Sequence, residues 1–140
     1  MLVLDTDHLV EYQKGSTAEA QRLKERLDSA SESYATTIVT VEEIMRGWMA
    51  ALRRIDDARR QINGYLKLRQ LFRFFAAWNV LDWNDAAVDE FERLRNAKTR
   101  VGTMDLKIAS IVLANRATLL SRNKNDFDRV PGLAVEDWLS

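Results

Sequence analysis

The feature that most constrains the fold is a short apolar run at residues 2–4, which breaks at once into Asp5, Thr6 and Asp7. Apolar residues that do not alternate with polar ones predict a strand covered on both faces, as in a parallel sheet. In open α/β sheets, ligands bind outside the carboxyl ends of the strands. The sequence therefore predicts a buried central strand that delivers the Asp5 carboxylate to a functional site.

The rest of the 140-residue chain alternates between β-prone and helical segments. This alternation predicts an α/β fold with a mainly parallel central sheet of about four to five strands. Thr40 and Thr103 are expected to be the N-caps of two of the helices. Further strands are predicted at residues 34–38, 79–83, 118–121 and 133–135, and helices at 8–14, 18–30, 40–52, 56–77, 84–98 and 103–113.

Composition excludes several kinds of site. The chain has no cysteine, which rules out disulfides, thiolate zinc sites and cysteine nucleophiles. Its one histidine, His8, leaves no histidine cluster for a metal, and we expect it at a helix start or on the surface. No apolar stretch approaches the roughly 20 residues of a membrane span, and no basic leader precedes the first strand. A cytoplasmic protein without a membrane segment is expected.

The net charge is zero, but basic residues concentrate between positions 46 and 73. Such a run is either a solvated helix face or a surface for nucleic acid or an acidic partner, and both interpretations remain open. The predicted helix at 56–77 is apolar nearly all round, so it packs in a wide core or against a subunit or partner. The basic residues are Arg46, Arg53, Arg54, Arg59, Arg60, Lys67, Arg69 and Arg73.

Four acids are expected to meet at one edge of the sheet. Asp5 and Asp126 follow predicted strands, whereas Glu43 and Asp105 lie near the starts of predicted helices. Clustered carboxylates repel one another and stay charged only beside a cation. Mg²⁺ and Mn²⁺ prefer oxygen ligands, and such an ion can polarise a phosphate oxygen and activate water. The pattern is that of a divalent-metal site that needs neither histidine nor cysteine.

Each acid also has an ordinary structural explanation. Glu43 can pair with Thr40 in a capping box, in which each side chain bonds a backbone N–H of the other. Asp105 can complement the dipole of a helix N-terminus. Asp126 can cap a short helix, and Asp5 can stabilise the turn after the first strand. The convergence of all four is what favours the functional interpretation.

Four motifs, taken together, resemble the PIN-domain family, and specifically the VapC-type toxins of bacterial toxin–antitoxin pairs. They are Leu4-Asp5-Thr6-Asp7 and the stretches at residues 40–47, 101–109 and 119–127, closed by residues 130–133. The resemblance covers essentially the whole chain, and its specificity comes from the order and spacing of the motifs. It implies a PIN-like three-layer sandwich with helices flanking the sheet, as a single nuclease domain over residues 1–140.

The resemblance implies catalytic and metal-binding roles for the acids. Asp5, Glu43 and Asp105 match the family's three most regular metal-site acids, and Asp126 matches its final acid. The implied cofactor is Mg²⁺ or Mn²⁺. The implied activity is that of an endoribonuclease that hydrolyses phosphodiester bonds in structured RNA, of the tRNA or rRNA class. The implied partners are a second copy of the chain in a homodimer and a cognate antitoxin that covers the acidic pocket and inhibits the enzyme.

Supporting residues also follow from the resemblance, with two departures from the family pattern. Thr6 matches a position that hydrogen-bonds within the acidic cluster, and Ser121 replaces the usual threonine at a similar position. Asp7 stands where asparagine or serine is commoner. Asn123 is neutral where some relatives carry an acid, so the fourth metal-site residue is open between Asn123 and Asp126.

Two alternatives belong to other functional classes. A PIN fold can bind RNA or protein without cutting it. A sequence of that kind would lack some of the metal-site acids, but the three principal acids are present here. The Asp5-x-Asp7 pattern also resembles the nucleophile motif of haloacid-dehalogenase-like phosphatases. That chemistry needs a late Gly-Asp-x-x-x-Asp motif, which the sequence lacks.

Overall fold

Five short strands form one sheet in the computed structural model, which describes every residue from 1 to 140. The strands are β1 (Leu2–Leu4), β2 (Tyr34–Thr37), β3 (Val80–Leu81), β4 (Thr118–Leu120) and β5 (Ala134–Glu136). Their spatial order is β3-β2-β1-β4-β5, and every neighbouring pair is parallel. The predicted parallel α/β sheet is confirmed, with β1 at its centre.

Seven helices connect and cover the strands. None of them has the length and apolar character that crossing a membrane requires. They are α1 (Thr6–Lys14), α2 (Ala18–Ser29), α3 (Ile38–Arg53), α4 (Gln61–Ala76), α5 (Asp85–Asn96), α6 (Thr103–Ala114) and α7 (Lys124–Phe127).

The side chains of β1 divide between two separate cores. Leu2 and Leu4 pack with residues of α1, α2 and α4 on one face of the sheet, Leu71 of α4 among them. Val3 packs with residues of α5 and α6 on the other face, among them Leu94. Because successive strand residues point to opposite faces, an uninterrupted apolar run is what a strand between two cores requires. The apolar run at residues 2–4 therefore indicates a sheet that is covered by helices on both faces.

The strand order reverses beside β1. The chain leaves β1 for β2 and β3 on one side, and later adds β4 and β5 on the other. Connections that run in opposite directions leave a crevice at the carboxyl ends of the strands where the order reverses. Leu4 lies opposite Leu120 in the β1–β4 pair, so the next residues, Asp5 and Ser121, emerge side by side into this crevice.

Helix starts differ from the prediction at four places, and the first is α1, which begins at Thr6 rather than at residue 8. Thr37, not Thr40, is the N-cap of α3, and its Oγ1 accepts a hydrogen bond from the Thr40 N–H at 3.0 Å. The N-cap of α6 is Gly102 rather than Thr103, with no side-chain capping bond. The predicted helix 56–77 begins only at Gln61. Asp57 Oδ1 accepts from the Arg59 N–H at 3.0 Å, and this local bond holds the preceding segment in a turn.

Candidate functional site

An acidic cleft of about 480 Å³ opens at the carboxyl ends of β1 and β4. Three of the predicted acids line it, each from a different element: Asp5 follows β1, Glu43 lies on α3 and Asp105 lies on α6. Only one of the ten lining residues is hydrophobic, so the cleft is suited to a charged ligand. The lining residues are Asp5, Thr6, Asp7, Val10, Glu11, Lys14, Glu43, Asp105, Arg122 and Asn123.

Asp5 is the most deeply placed of these acids. It is 7% exposed, and the Ser121 hydroxyl donates a hydrogen bond to its Oδ2 at 2.7 Å. Burial raises the pKa of Asp5 from its ordinary 3.8 to about 6, and the charges of Asp7 and Asp105 add to the rise. The Ser121 bond and the Thr6 N–H oppose the rise in pKa but do not cancel it. Without a cation, the charged form of Asp5 is disfavoured in this position.

Glu43 lies in the second turn of α3, because the helix begins at Ile38. The predicted capping box with Thr40 is therefore wrong, and a capping role does not explain Glu43. Thr6 Oγ1 donates to Glu43 Oε2 at 3.4 Å, while Oε1 is buried without any partner. Burial raises the pKa of Glu43, followed by the charges of Asp5 and Asp105. A buried carboxylate oxygen without a partner is costly, and a cation bound in the cleft would offset that cost.

Asp105 occupies the third position of α6. A helix N-terminus favours a charged carboxylate, yet the pKa of Asp105 is raised, first by burial and then by the charges of Asp126 and Asp7. The Asn123 amide donates to Asp105 Oδ2 at 3.3 Å. Burial, together with the neighbouring negative charges, thus outweighs the helix dipole at this position.

The two candidates for the fourth metal-site residue lie in different places. Asn123 lines the cleft and contacts Asp105, whereas Asp126 lies on α7 outside the residues that line it. The Asp126 side chain is 46% exposed and lies 4.0 Å from Arg129. It is nevertheless near enough to raise the pKa of Asp105. The expected helix-capping role of Asp126 is wrong, since Asn123 precedes α7, and its catalytic and metal-binding roles stay a prediction.

The residues of the cleft fit a divalent cation. All donors on Asp5, Glu43 and Asp105 are oxygens, their pKa values are all raised, and Glu43 Oε1 has no partner. Hard divalent ions prefer such donors. No group of three acids has its side chains placed to hold one ion at the same time, as expected where like charges repel. Binding of one ion by all three carboxylates would therefore require side-chain rotations within the cleft.

The family model for the PIN domain matches residues 2–133. This chain belongs to the PIN domain family. It is 30% identical over 69 residues to Ribonuclease VapC2 of Rickettsia felis. The aligned segment covers 46% of this chain and 52% of that protein. The match to this curated relative thus spans about half of its length.

Solved structures with the same fold include toxin–antitoxin complexes. This PIN domain is similar to VapBC-1 from nontypeable Haemophilus influenzae, with a TM-score of 0.73, 21% identity, and 99% and 98% of the two chains covered. It is also similar to VapBC2 from Rickettsia felis bound to a fragment of promoter DNA, with a TM-score of 0.69, 20% identity and 98% of each chain covered. These similarities confirm the predicted PIN-like fold.

The surroundings of three residues of this PIN domain were not expected from the sequence. His8 was expected at a helix start or on the surface, and it does lie in the first turn of α1, but it is fully buried. Lys14 and Arg122 line the cleft. Lys14 lies outside the four motifs, and Arg122 lies within the 119–127 motif but was given no role. A signal for Arg122 was available, because it lies two residues after the end of β4 and so shares the carboxyl edge of the sheet with Asp5.

Proposed function

We propose that this PIN domain is a VapC-type toxin, a metal-dependent endoribonuclease that hydrolyses phosphodiester bonds in structured RNA. The observation that carries the proposal is the convergence of Asp5, Glu43 and Asp105 on one cleft, where all three pKa values are raised and one carboxylate oxygen has no partner. The related Ribonuclease VapC2 and the VapBC complexes support the same activity class. The expected substrates are tRNA or rRNA, and the expected location is the cytoplasm.

Asp5, Glu43 and Asp105 would hold Mg²⁺ or Mn²⁺, with Asn123 or Asp126 as a fourth contributor. The chemistry that a bound divalent ion supplies is polarisation of a phosphate oxygen and acidification of water. Hydrogen bonds from Thr6 to Glu43 and from Ser121 to Asp5 fix one oxygen of each carboxylate.

Cations of the chain also line the cleft and reduce the repulsion between its carboxylates and an incoming phosphate. Lys14 and Arg122 both border the cleft. Glu11 accepts hydrogen bonds from Thr17 at 2.6 Å and from Lys14 at 3.1 Å, and these bonds lower the pKa of Glu11. Glu11 is thereby held charged, and it keeps the Lys14 ammonium at the rim.

The decisive experiment is cleavage of a total tRNA and rRNA pool by the inhibitor-free protein with Mg²⁺, Mn²⁺ or EDTA. Discrete fragments that form with the metals and disappear with EDTA are the expected result. Intact RNA under every condition would contradict the nuclease proposal and favour a PIN fold that binds RNA or protein without cutting.

A line of arginines extends from the cleft along α3 and supports a nucleic-acid substrate. Arg46 borders a second depression together with Glu43 and Asp105, and it also borders a third with Arg53 and Arg54. Arg54 lies about 16 Å along the helix axis from Glu43 at 1.5 Å per residue. Arg46 pairs with Glu42 at 2.7 Å, whereas Arg53 and Arg54 are exposed and form no ion pair. Their charges are therefore available to phosphates of a strand that crosses the cleft.

Replacing both Arg53 and Arg54 with glutamine should raise KM for RNA and leave kcat within about twofold, because neither residue lines the acidic cleft. The slope of log binding constant against log salt should become shallower by about two, since each phosphate contact contributes about one. Filter binding at several salt concentrations measures this slope. The matched control is Arg22→Gln with Arg93→Gln, which removes the same charge from α2 and α5 and should change neither quantity.

We also propose that an antitoxin inhibits the enzyme by covering the cleft and the groove beside it. Apolar side chains of Val10, Ile44 and Trp48 line this groove, which shares Thr6 and Glu43 with the acidic cleft. An amphipathic segment with a basic residue at its end would match both surfaces. Addition of a small protein encoded beside the gene should stop RNA cleavage, and Trp48→Glu should weaken that inhibition while RNA is still cut.

Homodimerisation is a further part of the proposal. The exposed apolar side chains of α4 are Ile62, Tyr65, Leu66 and Phe72, and exposed apolar surface of this kind marks association sites. Sedimentation equilibrium of the isolated protein tests this prediction, and a monomer at all concentrations would contradict it.

A further inference from the structure

We propose that His8 is a positioning residue that fixes Asp7 and, through it, the 121–123 loop that orients the carboxylates of Asp5 and Asp105. In this arrangement a continuous series of hydrogen bonds connects the segment after β5 to the acidic cleft. The kinetic part of its test rests on the proposed nuclease activity, whereas a second readout does not.

The surroundings of His8 determine which of its nitrogens carries the proton. The side chain is fully buried, and its Nε2 accepts a hydrogen bond from the Trp138 N–H at 3.0 Å. A backbone N–H can only donate, so Nε2 must be the acceptor. The proton of the neutral imidazole then lies on Nδ1, which donates to Asp7 Oδ1 at 2.5 Å. His8 therefore joins the Trp138 backbone to the Asp7 carboxylate in one fixed direction.

The other oxygen of Asp7 holds the loop that follows β4. Asp7 Oδ2 accepts from the Arg122 N–H at 3.0 Å, and the Ser121 hydroxyl lies 3.4 Å away. The residues on either side of Arg122 reach the acids of the cleft. Ser121 donates to Asp5 at 2.7 Å, and Asn123 donates to Asp105 at 3.3 Å. A rotation of the Asp7 side chain would release the loop that holds Ser121 and Asn123 in position to donate to these acids.

This connection also explains why position 7 carries an aspartate. Asp7 receives the His8 Nδ1–H on one oxygen and the Arg122 N–H on the other. An asparagine would place its NH₂ against one of these donors, because its amide has a single acceptor oxygen. His8 cannot relieve the conflict by moving its proton to Nε2, since that nitrogen faces the Trp138 N–H. His8 and Asp7 are therefore a matched pair.

The test compares His8→Leu with His8→Asn. Leucine fills the space but donates nothing to Asp7, whereas the asparagine NH₂ can reach Asp7 from a position close to that of Nδ1. We expect His8→Leu to lower kcat about 10- to 100-fold, the usual cost of losing a residue that orients metal ligands, with KM for RNA unchanged within twofold. His8→Asn should recover most of kcat although it leaves a larger void and a lower Tm. A purely structural role predicts the opposite order, in which activity follows stability.

A double-mutant cycle tests the pairing. In the presence of His8, Asp7→Asn should lower kcat, but in the His8→Leu protein it should have little further effect, because the donor conflict is gone. Additive losses would show that the two residues act independently. Leu94→Ala is the control for destabilisation, since it weakens the core on the opposite face of the sheet and should lower Tm without changing kcat at low temperature.

Amide hydrogen exchange at Arg122 in the metal-free protein is the readout that does not depend on nuclease activity. We expect His8→Leu to speed this exchange about tenfold, as the loss of an oriented charged acceptor predicts, and His8→Asn to leave it near the wild-type rate. Unchanged exchange in His8→Leu, or a kcat for His8→Asn as low as that of His8→Leu in an active enzyme, would overturn the proposal. If the wild type cuts no RNA, the nuclease proposal fails and the exchange result alone decides the role of His8.

Discussion

Replacing Asp5 with asparagine is expected to abolish RNA cleavage and to make the metal-free protein more stable at neutral pH. The two effects have one cause. Asp5 is 7% exposed, and its pKa is raised to about 6 by burial and by the neighbouring Asp7 and Asp105. At pH 7.5 the folded protein must therefore hold an unfavourable charge, which asparagine removes while it still accepts the Ser121 hydrogen bond. The same charge is needed to bind a divalent ion.

The expected magnitudes are large in both directions. Metal ions supply several kcal/mol of charge stabilisation in such reactions, so loss of the ligand should lower kcat/KM by about a thousandfold or more. The free energy of unfolding should rise by an amount whose ceiling is about 3 kcal/mol, from the shift in pKa at about 1.4 kcal/mol per unit. Asp105→Asn should act in the same directions, with a smaller gain because Asp105 is only half-buried.

Urea unfolding at pH 7.5 in EDTA and single-turnover cleavage in Mg²⁺ are the two measurements. Asp128→Asn is the matched control, since Asp128 is exposed at the end of α7 and its substitution should change neither result. An Asp5→Asn protein that still cuts RNA at the wild-type rate would show that Asp5 does not hold the metal. An inactive but less stable variant would show that Asp5 has a structural role instead.

The central strand and the position of Asp5 were predictable because the residue types at positions 2–4 are enough to indicate burial on both faces of the sheet. Both faces of such a strand are covered, so all of its side chains are apolar. The first polar residue after it must then lie at the edge of the sheet. Helix starts were less predictable. Thr37 and Thr40 are both capable N-caps three residues apart, and the choice of Thr37 depends on where β2 stops pairing with β3, at Leu81. That pairing partner is distant in sequence, so local pattern alone placed the cap three residues late.

His8 shows a different limit of sequence reasoning. Its proton position depends on the N–H of Trp138, which lies 130 residues away, and nothing near His8 in the sequence indicates that partner. The fourth metal-site residue is unresolved for a related reason, since both Asn123 and Asp126 follow β4 closely enough to be candidates. Placement in the cleft depends on how the short α7 turns away from the sheet edge, which the sequence pattern does not specify.

In the absence of metal, the contribution of Asp5 to the free energy of unfolding should fall as the pH rises from about 4 to 7. A carboxyl whose pKa is higher in the folded state than in the unfolded state binds more protons when folded in the window between the two values. For Asp5 this window extends from 3.8 to about 6, so its stabilising contribution is complete below the window and is lost as the pH rises through it. Burial and mutual repulsion also raise the pKa values of Glu43 and Asp105, and their contributions have the same sign.

Acids elsewhere can mask this trend. The pKa of Glu11 is lowered by its bonds from Thr17 and Lys14, so its contribution rises with pH. The quantity to measure is therefore the difference in unfolding free energy between the wild type and Asp5→Asn, by urea unfolding in EDTA at several pH values. The wild type should lose up to about 3 kcal/mol relative to the variant between pH 4 and pH 7. A difference that stays constant, or that grows in favour of the wild type, would contradict the raised pKa of Asp5.

Mg²⁺ should oppose this loss, because an ion that binds only the folded protein stabilises it by RT ln(1 + [Mg²⁺]/Kd). The increase should be larger at pH 7 than at pH 5, since protonated carboxyls are poor ligands, and it should be nearly absent in Asp5→Asn. An equal rise in both proteins would mean that Mg²⁺ acts elsewhere on the chain. Selective stabilisation of the wild type would instead place the ion at the acids without reference to any RNA. Burial first, and then the charges of Asp7 and Asp105, raise the pKa of Asp5, and a bound cation would offset both effects.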